Sequence, residues 1–367
     1  MTPVLSRNAK ALGVALATLL GVGSVSAADV SIYGRIDTGL VYQSFSGDSV
    51  KDDSFTMESG PNTASRWGMQ GSEKLTDDLT VGFRLESRFA SDSGELKGNR
   101  LFEGSSFVQV KSNTWGEVAA GRIAGMGSGS GPYDLQFFVD AFGGGAFGTG
   151  LAPVKSSRMD NMITVRTPML AGFQGTIQHS LKIDNTIENA DESTSDVDRF
   201  WAGGLRWNVG ALNMVAVYEE TTWGHKTATT PDHAKKVFTL GGSYRTGDVM
   251  GYLQAQYFDG VNALDGFKVA DMRDLEGFGV YAGAQVWFGL SSLQTMVYVR
   301  DYDVKARADG RTHDGSSVGV AAKYLWRPSK TIDIYVGAGY SEWDRLSSGK
   351  ILTDKSFNAY SGVTKYF

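Results

Sequence analysis

Apolar residues recur at every second position from Val30 to Tyr42: Val30, Ile32, Ile36, Leu40 and Tyr42 share one parity, while Ser31, Tyr33, Arg35 and Asp37 share the other. The same period runs from Leu79 to Phe89, with Leu79, Val81, Phe83, Leu85 and Phe89 alternating with Thr80, Arg84, Glu86 and Arg88. An extended chain turns successive side chains to opposite faces, so this spacing predicts strands with one apolar and one polar face. Similar stretches occupy 64–71, 100–111, 117–122, 158–167, 173–182, 200–209, 212–221, 236–245, 249–258, 277–288, 291–302, 315–327, 331–342 and 356–367, which makes sixteen predicted strands. Short polar turns, such as 72–78, 112–116, 246–248 and 328–330, alternate with longer polar connections. That alternation predicts antiparallel neighbours wound up and down. A set of sixteen exceeds what an open twisted sheet sustains, so closure into a barrel is expected. All prolines fall in the first residues, in connections or in turns, as ladder N–H groups require.

The polar parity decides which solvent lies outside. It carries Arg, Glu, Gln and Tyr, and a soluble barrel with a dry core would have to bury them. A barrel in lipid reverses the problem, because its apolar face meets hydrocarbon and water fills the polar lumen. The mean hydropathy of −0.19 is the average of two such faces. Tyr42, Phe89, Tyr218, Tyr244, Tyr257, Tyr324 and Tyr340 near strand ends are expected in the aromatic girdles at the two membrane interfaces. Glycine, at 47 of 367 residues, disfavours long helices. The absence of cysteine excludes disulfides and thiolate metal sites.

The longest apolar run, Ala11 to Val25, is shorter than the roughly 20 residues of a spanning helix. With Arg7 and Lys10 before it and Val25-Ser26-Ala27 after it, it predicts an export signal over 1–27, cleaved after Ala27, and a barrel over 28–367. Loss of Arg7 and Lys10 takes the formal charge from −5 to −7, so nucleic acid is not an expected partner.

Several motifs then occur in an order that resembles the general porins of Gram-negative outer membranes, over essentially the whole mature chain. Val30-Ser31-Ile32-Tyr33-Gly34-Arg35-Ile36-Asp37 is similar to that family's first strand, and 65–75, Ser-Arg-Trp-Gly-Met-Gln-Gly-Ser-Glu-Lys-Leu, to its second strand and first turn. Phe107 to Lys111, Trp115-Gly116-Glu117-Val118 and Gly121-Arg122 resemble the hairpin entering the constriction loop. Arg158-x-Asp160-Asn161, Thr167-Pro168 and Ala171-Gly172-Phe173 resemble the segment leaving it, and Tyr324 to Tyr335 the penultimate hairpin. The resemblance implies an all-β, 16-stranded antiparallel transmembrane barrel that assembles as a homotrimer, with its third extracellular loop folded into the lumen. It further implies an outer-membrane location, in contact with lipopolysaccharide, and passive passage of ions and small hydrophilic solutes without a cofactor. A terminal aromatic on the last strand is read by barrel assembly in such families, which makes Phe367 the candidate assembly signal. Lys365 stands where that family more usually has an aromatic residue or histidine.

The connection 123–157 is the candidate constriction loop. Tyr133, Leu135, Phe137, Phe138, Val139 and Phe142 can anchor it, and Asp134 and Asp140 are its carboxylates. The family's Pro-Glu-Phe-Gly-Gly reads Asp140-Ala141-Phe142-Gly143-Gly144 here, so Ala141 replaces the usual acid. Arg35, Arg66, Arg84, Arg88, Arg122 and Arg158 lie on the strands expected to flank this loop. Guanidinium groups in a wet pore stay charged and set up a transverse field against loop carboxylates and the wall acids Glu86 and Asp37. A mild anion preference is expected. A substrate-selective porin is the first alternative, and a barrel enzyme using Asp232-His233 or His313-Asp314 the remote one. The acids between Asp184 and Asp198 read as a solvated loop tip, with cation binding the lesser reading. The four scattered histidines have no metal-ligand spacing.

Overall fold

The computed structural model describes residues 29–47, 51–142, 153–185, 191–193, 195–224, 230, 233–264, 272–306, 311–347 and 350–367. The predicted export signal lies outside them. The chain forms β1 (Asp29–Ser46), β2 (Lys51–Ser59), β3 (Arg66–Lys74), β4 (Leu79–Arg88), β5 (Ser105–Ser112), β6 (Gly116–Ala124), β7 (Arg158–Arg166), β8 (Phe173–Ser180) and β9 (Arg199–Val209). It continues through β10 (Leu212–Thr222), β11 (Lys235–Thr246), β12 (Val249–Val261), β13 (Met272–Phe288), β14 (Ser291–Ala306), β15 (Thr312–Ser329), β16 (Ile332–Ser347) and β17 (Lys350–Tyr366). From β3 onward each strand pairs antiparallel with the next. β17 returns to β1, from Arg35↔Tyr366 to Ser46↔Lys355, and closes the barrel.

The wall has sixteen strand positions, and an extra strand departs from the sequence expectation. β1 pairs with β3 along its first part and with β2 along its second, so β2 and β3 share one position, interrupted by 60–65. The stretch 51–59 was expected as a connection because its acids and serines obscure the apolar parity. Two further corrections are local. The strand expected over 100–111 starts only at Ser105, after a 3-10 turn at Lys97–Asn99. Pro328, expected in a turn, lies in β15 at a register shift between Trp326 and Ser329, where its missing N–H breaks no regular rung.

On the outer face Tyr218, Phe238, Tyr257 and Phe278 are register partners on β10 to β13 and form one exposed aromatic row. Tyr244, Phe288 and Tyr324 form the opposite one, with the Phe288 and Tyr324 rings 6.0 Å apart. About 20 Å of strand separates Phe238 from Tyr244, comparable to the ~25 Å apolar band of such barrels. Phe89 is the exception: it is half-buried and bridges Leu96.

The seam between β1 and β17 is built on small residues. Gly39 opposes Gly362, and a Cβ at Gly362 would lie 2.3 Å from the Tyr335 hydroxyl. Without it, that hydroxyl reaches the fully buried Asp37 and donates to its Oδ1 at 2.9 Å, while Thr364 donates to Oδ2. At the lower end Gly34 and Phe367 exchange two backbone hydrogen bonds of 3.0 Å. Deleting Phe367 should remove this rung, about 2 kcal/mol at ~1 kcal/mol per bond, together with an exposed apolar ring. Lys365→Ala removes only an exposed 2.8 Å bond to Thr331. The yield of heat-modifiable barrel should therefore fall clearly for the deletion and little for Lys365→Ala; equal yields would contradict the assignment.

Candidate functional site

Consecutive polar-parity positions on β3 and β4 bring guanidinium groups together. Glu86 receives Arg66 at 3.2 Å and Arg84 at 2.9 Å, and the Tyr33 hydroxyl donates to it at 3.1 Å. The Arg84 guanidinium also lies 5.0 Å from the centre of the Tyr33 ring. Arg35 and Arg66 both donate through Nε to the carbonyl of Ala64, each at 3.3 Å. Arg88 meets Glu103 at 3.4 Å. Beside the register irregularity between Gly121 and Ile123, Arg122 meets Asp160 at 2.7 Å and donates to the Glu103 carbonyl at 2.9 Å. Arg158 donates to the carbonyl of Gly104 and to the Ser130 hydroxyl, both at 2.9 Å. Arg66 lies within electrostatic reach of Arg35, Arg88 and Arg158. Among the described residues, Arg35 and Arg158 form no ion pair within 4 Å, although Glu86 and Asp37 lie within electrostatic reach of Arg35, and Glu103 and Glu86 of Arg158.

The long connection after β6 is held by buried side chains of the polar face. Gln178 on β8 donates to the Ala124 carbonyl at 3.1 Å and accepts the Met126 N–H at 3.0 Å. Gln256 on β12 does the same with both backbone groups of Val154, at 3.0 and 2.7 Å. Each amide is oriented by a threonine, Thr164 or Thr239, so the two glutamines act as matched backbone clamps. Glu219 accepts the Gly127 N–H at 2.9 Å, and the Tyr281 hydroxyl accepts the Ala141 N–H at 3.0 Å. Arg206 stacks on Phe138 at 3.6 Å.

The structure thus brings together all six arginines singled out in the sequence. It places the loop carboxylates elsewhere. Asp134 is buried within its own loop, where it accepts from the Ser128 hydroxyl at 3.0 Å and the Phe137 N–H at 3.1 Å. Burial pushes its pKa up to about 7 against the pull of these donors. Asp140 accepts the Phe142 N–H at 2.8 Å and lies near Tyr252, Tyr281 and Lys323. Asp37 belongs to the seam. Sequence reasoning missed Arg100, which binds Asp160 at 2.8 Å and also Asp184, because 100–111 read as a plain strand. It also missed Glu103 and the buried Lys323. Asp184 on Arg100 and Asp198, which accepts the Gly224 N–H at 2.9 Å, signal that the acidic run is not wholly a free tip; Glu188 lies outside the described residues. His233 pairs with Asp259 at 2.7 Å, and Asp232 lies outside the described residues. Among the described residues, no three His, Asp or Glu side chains are placed to hold a metal.

The family described as Gram-negative porin matches residues 13–346. An outer membrane porin protein of Bordetella pertussis is 30% identical over 256 residues, covering 63% of this chain and 65% of that protein. The matched part is thus just under two thirds of that relative's length. Outer membrane porin protein 32 of Delftia acidovorans is 29% identical over 261 residues, 67% of this chain and 69% of that one. Among solved structures, the anion-selective porin from Comamonas acidovorans superposes with a TM-score of 0.67 at 20% identity, covering 93% of this chain and all of that one.

Glu86 holds two arginines, and its side chain is 3% exposed. Glu86→Gln should leave both uncompensated and destabilise the barrel by about 3 kcal/mol. Denaturant unfolding from detergent micelles reads this as a lower midpoint; an unchanged midpoint would show that water, not Glu86, stabilises these guanidinium groups.

Proposed function

Because the chain belongs to the Gram-negative porin family, we propose that it forms a water-filled channel of the bacterial outer membrane that passes ions and small hydrophilic solutes and mildly prefers anions. Passage is by diffusion and involves no reaction. The protein is exported with loss of 1–27 and works as a homotrimer. The connection 123–157 sets the narrowest section, with Arg35, Arg66, Arg84, Arg88 and Arg122 lining it and Arg158 against the loop at Ser130.

One observation carries the preference: the six arginines outnumber Glu86, Glu103 and Asp160, the carboxylates they pair with, and two of them form no direct ion pair among the described residues. The loop does little to offset this, since Asp134 is turned inward and only partly charged at neutral pH. Surface charges more than about 8 Å from the ion path are screened at physiological salt. A narrow pore with low-dielectric walls focuses its own field, so the local excess outweighs the net charge of the mature chain. The anion selectivity in the name of the Comamonas porin is in keeping with this reading.

Replacing Arg66, Arg84 and Arg158 with Ala should shift the reversal potential in a KCl gradient toward cations. If the parent's reversal potential persists, these arginines do not line the narrow section. A pH dependence follows from Asp134. Its carboxyl is neutral below about pH 7 and charged above it, so lowering the pH from about 8 to 6 removes negative charge and should strengthen the anion preference. Asp134→Asn should abolish that component; a pH response of the same size in the variant would assign it to another group.

A further inference from the structure

The short segment 60–65, between the two halves of the second wall position, has its own set of anchors. Gly60, at a φ of +83°, turns the chain off β2. Pro61 then packs against Gly39, where a Cβ would lie 3.1 Å from its ring. The Asn62 N–H donates to Asp37 Oδ1 at 3.3 Å and its side-chain amide to Thr364 at 3.2 Å, while Ser65 donates to the Asp37 carbonyl at 3.0 Å. The carbonyl of Ala64 receives Arg35 and Arg66. The acceptor oxygen of Asn62 receives Lys323 Nζ of β15 at 2.9 Å.

Lys323 is 2% exposed, and its ammonium also donates to the carbonyl of Phe142, at 3.1 Å, with the Phe142 ring 5.0 Å away. A buried ammonium needs its donors satisfied, and here both acceptors come from segments that belong to no strand. The contacts form a continuous chain from Arg35 and Arg66, through 60–65, to Lys323 and the long loop. It joins the arginine wall to the loop on the opposite side of the seam.

Building on the pore reading above, we propose that 60–65 is a second pore-narrowing segment and that Lys323 is the positioning residue locking it to the long loop at Phe142. The two inward segments then hold one another, so the narrow section stays open at constant width. Without the lock, the loop end fluctuates and the current flickers.

The chain has no cysteine, so single thiols can be introduced without background. Beyond Gly60, whose turn must stay a glycine, Thr63 and Ala64 are the half-buried members of the segment. In planar bilayers, channels of the full-length protein carrying Thr63→Cys or Ala64→Cys should lose conductance on treatment with a bulky methanethiosulfonate. Lys323→Met and the charge-neutral Asn62→Ala should both raise flicker frequency about tenfold, the effect expected for one charge-assisted hydrogen bond. Asn62→Ala should leave the reversal potential unchanged, which separates loss of the lock from loss of charge. Conducting channels in which both thiols fail to change the current overturn the second segment and leave the porin reading intact. Quiet channels in Asn62→Ala overturn the lock. If Asn62→Ala does not assemble, the thiol variants still decide whether 60–65 narrows the pore. A protein that forms no channel at all overturns the underlying porin reading and this inference with it.

Discussion

A sheet that spans lipid cannot leave an edge, because every unpaired N–H or C=O in hydrocarbon costs several kcal/mol. The first strand must therefore meet the last, and the rest of the molecule is arranged around that meeting. β1 and β17 pair from Arg35↔Tyr366 to Ser46↔Lys355, and the backbone of Phe367 adds the final rung at Gly34. The seam carries a buried carboxylate, Asp37, whose oxygens take donors from Tyr335, Asn62 and Thr364. Opposed glycines leave room for that arrangement. Closure then assigns the two parities of every strand: apolar side chains to lipid, polar ones to the enclosed side.

With the wall closed, the polar side becomes a scaffold for segments that are not strands. The two glutamine clamps satisfy the backbone of the long connection at its start and near its end, where no ladder partner exists. The arginines occupy strands β1, β3, β4, β6 and β7, whereas the loop is anchored on both sides, at 130–133 by β5 to β7 and elsewhere by β8 to β15. In the proposed channel this arrangement sets a cationic wall beside a loop whose acids are turned into their own hydrogen bonds. The asymmetry gives a transverse field at little cost in ion pairing, because Glu86, Glu103 and Asp160 hold the guanidinium groups in place without neutralising all of them.

The wall was legible in the sequence because lipid imposes period 2 on each spanning strand. Leu79 to Leu85 and Val30 to Leu40 show their faces without knowledge of any partner. β2 was hard to read because its apolar parity is carried only by Phe55 and Met57, partners of Tyr42 and Leu40, and Asp52, Asp53 and Glu58 hide the alternation. The six arginines could be picked out by parity, yet their acids could not. Glu103 and Asp160 reach them through loop and register irregularities that leave no periodic trace. Asn62 and Lys323 are 261 positions apart and meet only after the barrel closes. The porin resemblance marks Asp134 as a carboxylate of the constriction loop, but the serine and backbone donors beside it in its own loop capture it first.

In the proposed channel, fixed positive charge on one side of the narrow section governs which ions pass. Single-channel conductance of the unaltered protein tests it directly, with chloride replaced by gluconate in one series and potassium by tetraethylammonium in the other. Replacing the anion should reduce conductance more than replacing the cation. A larger loss on replacing potassium would contradict the claim.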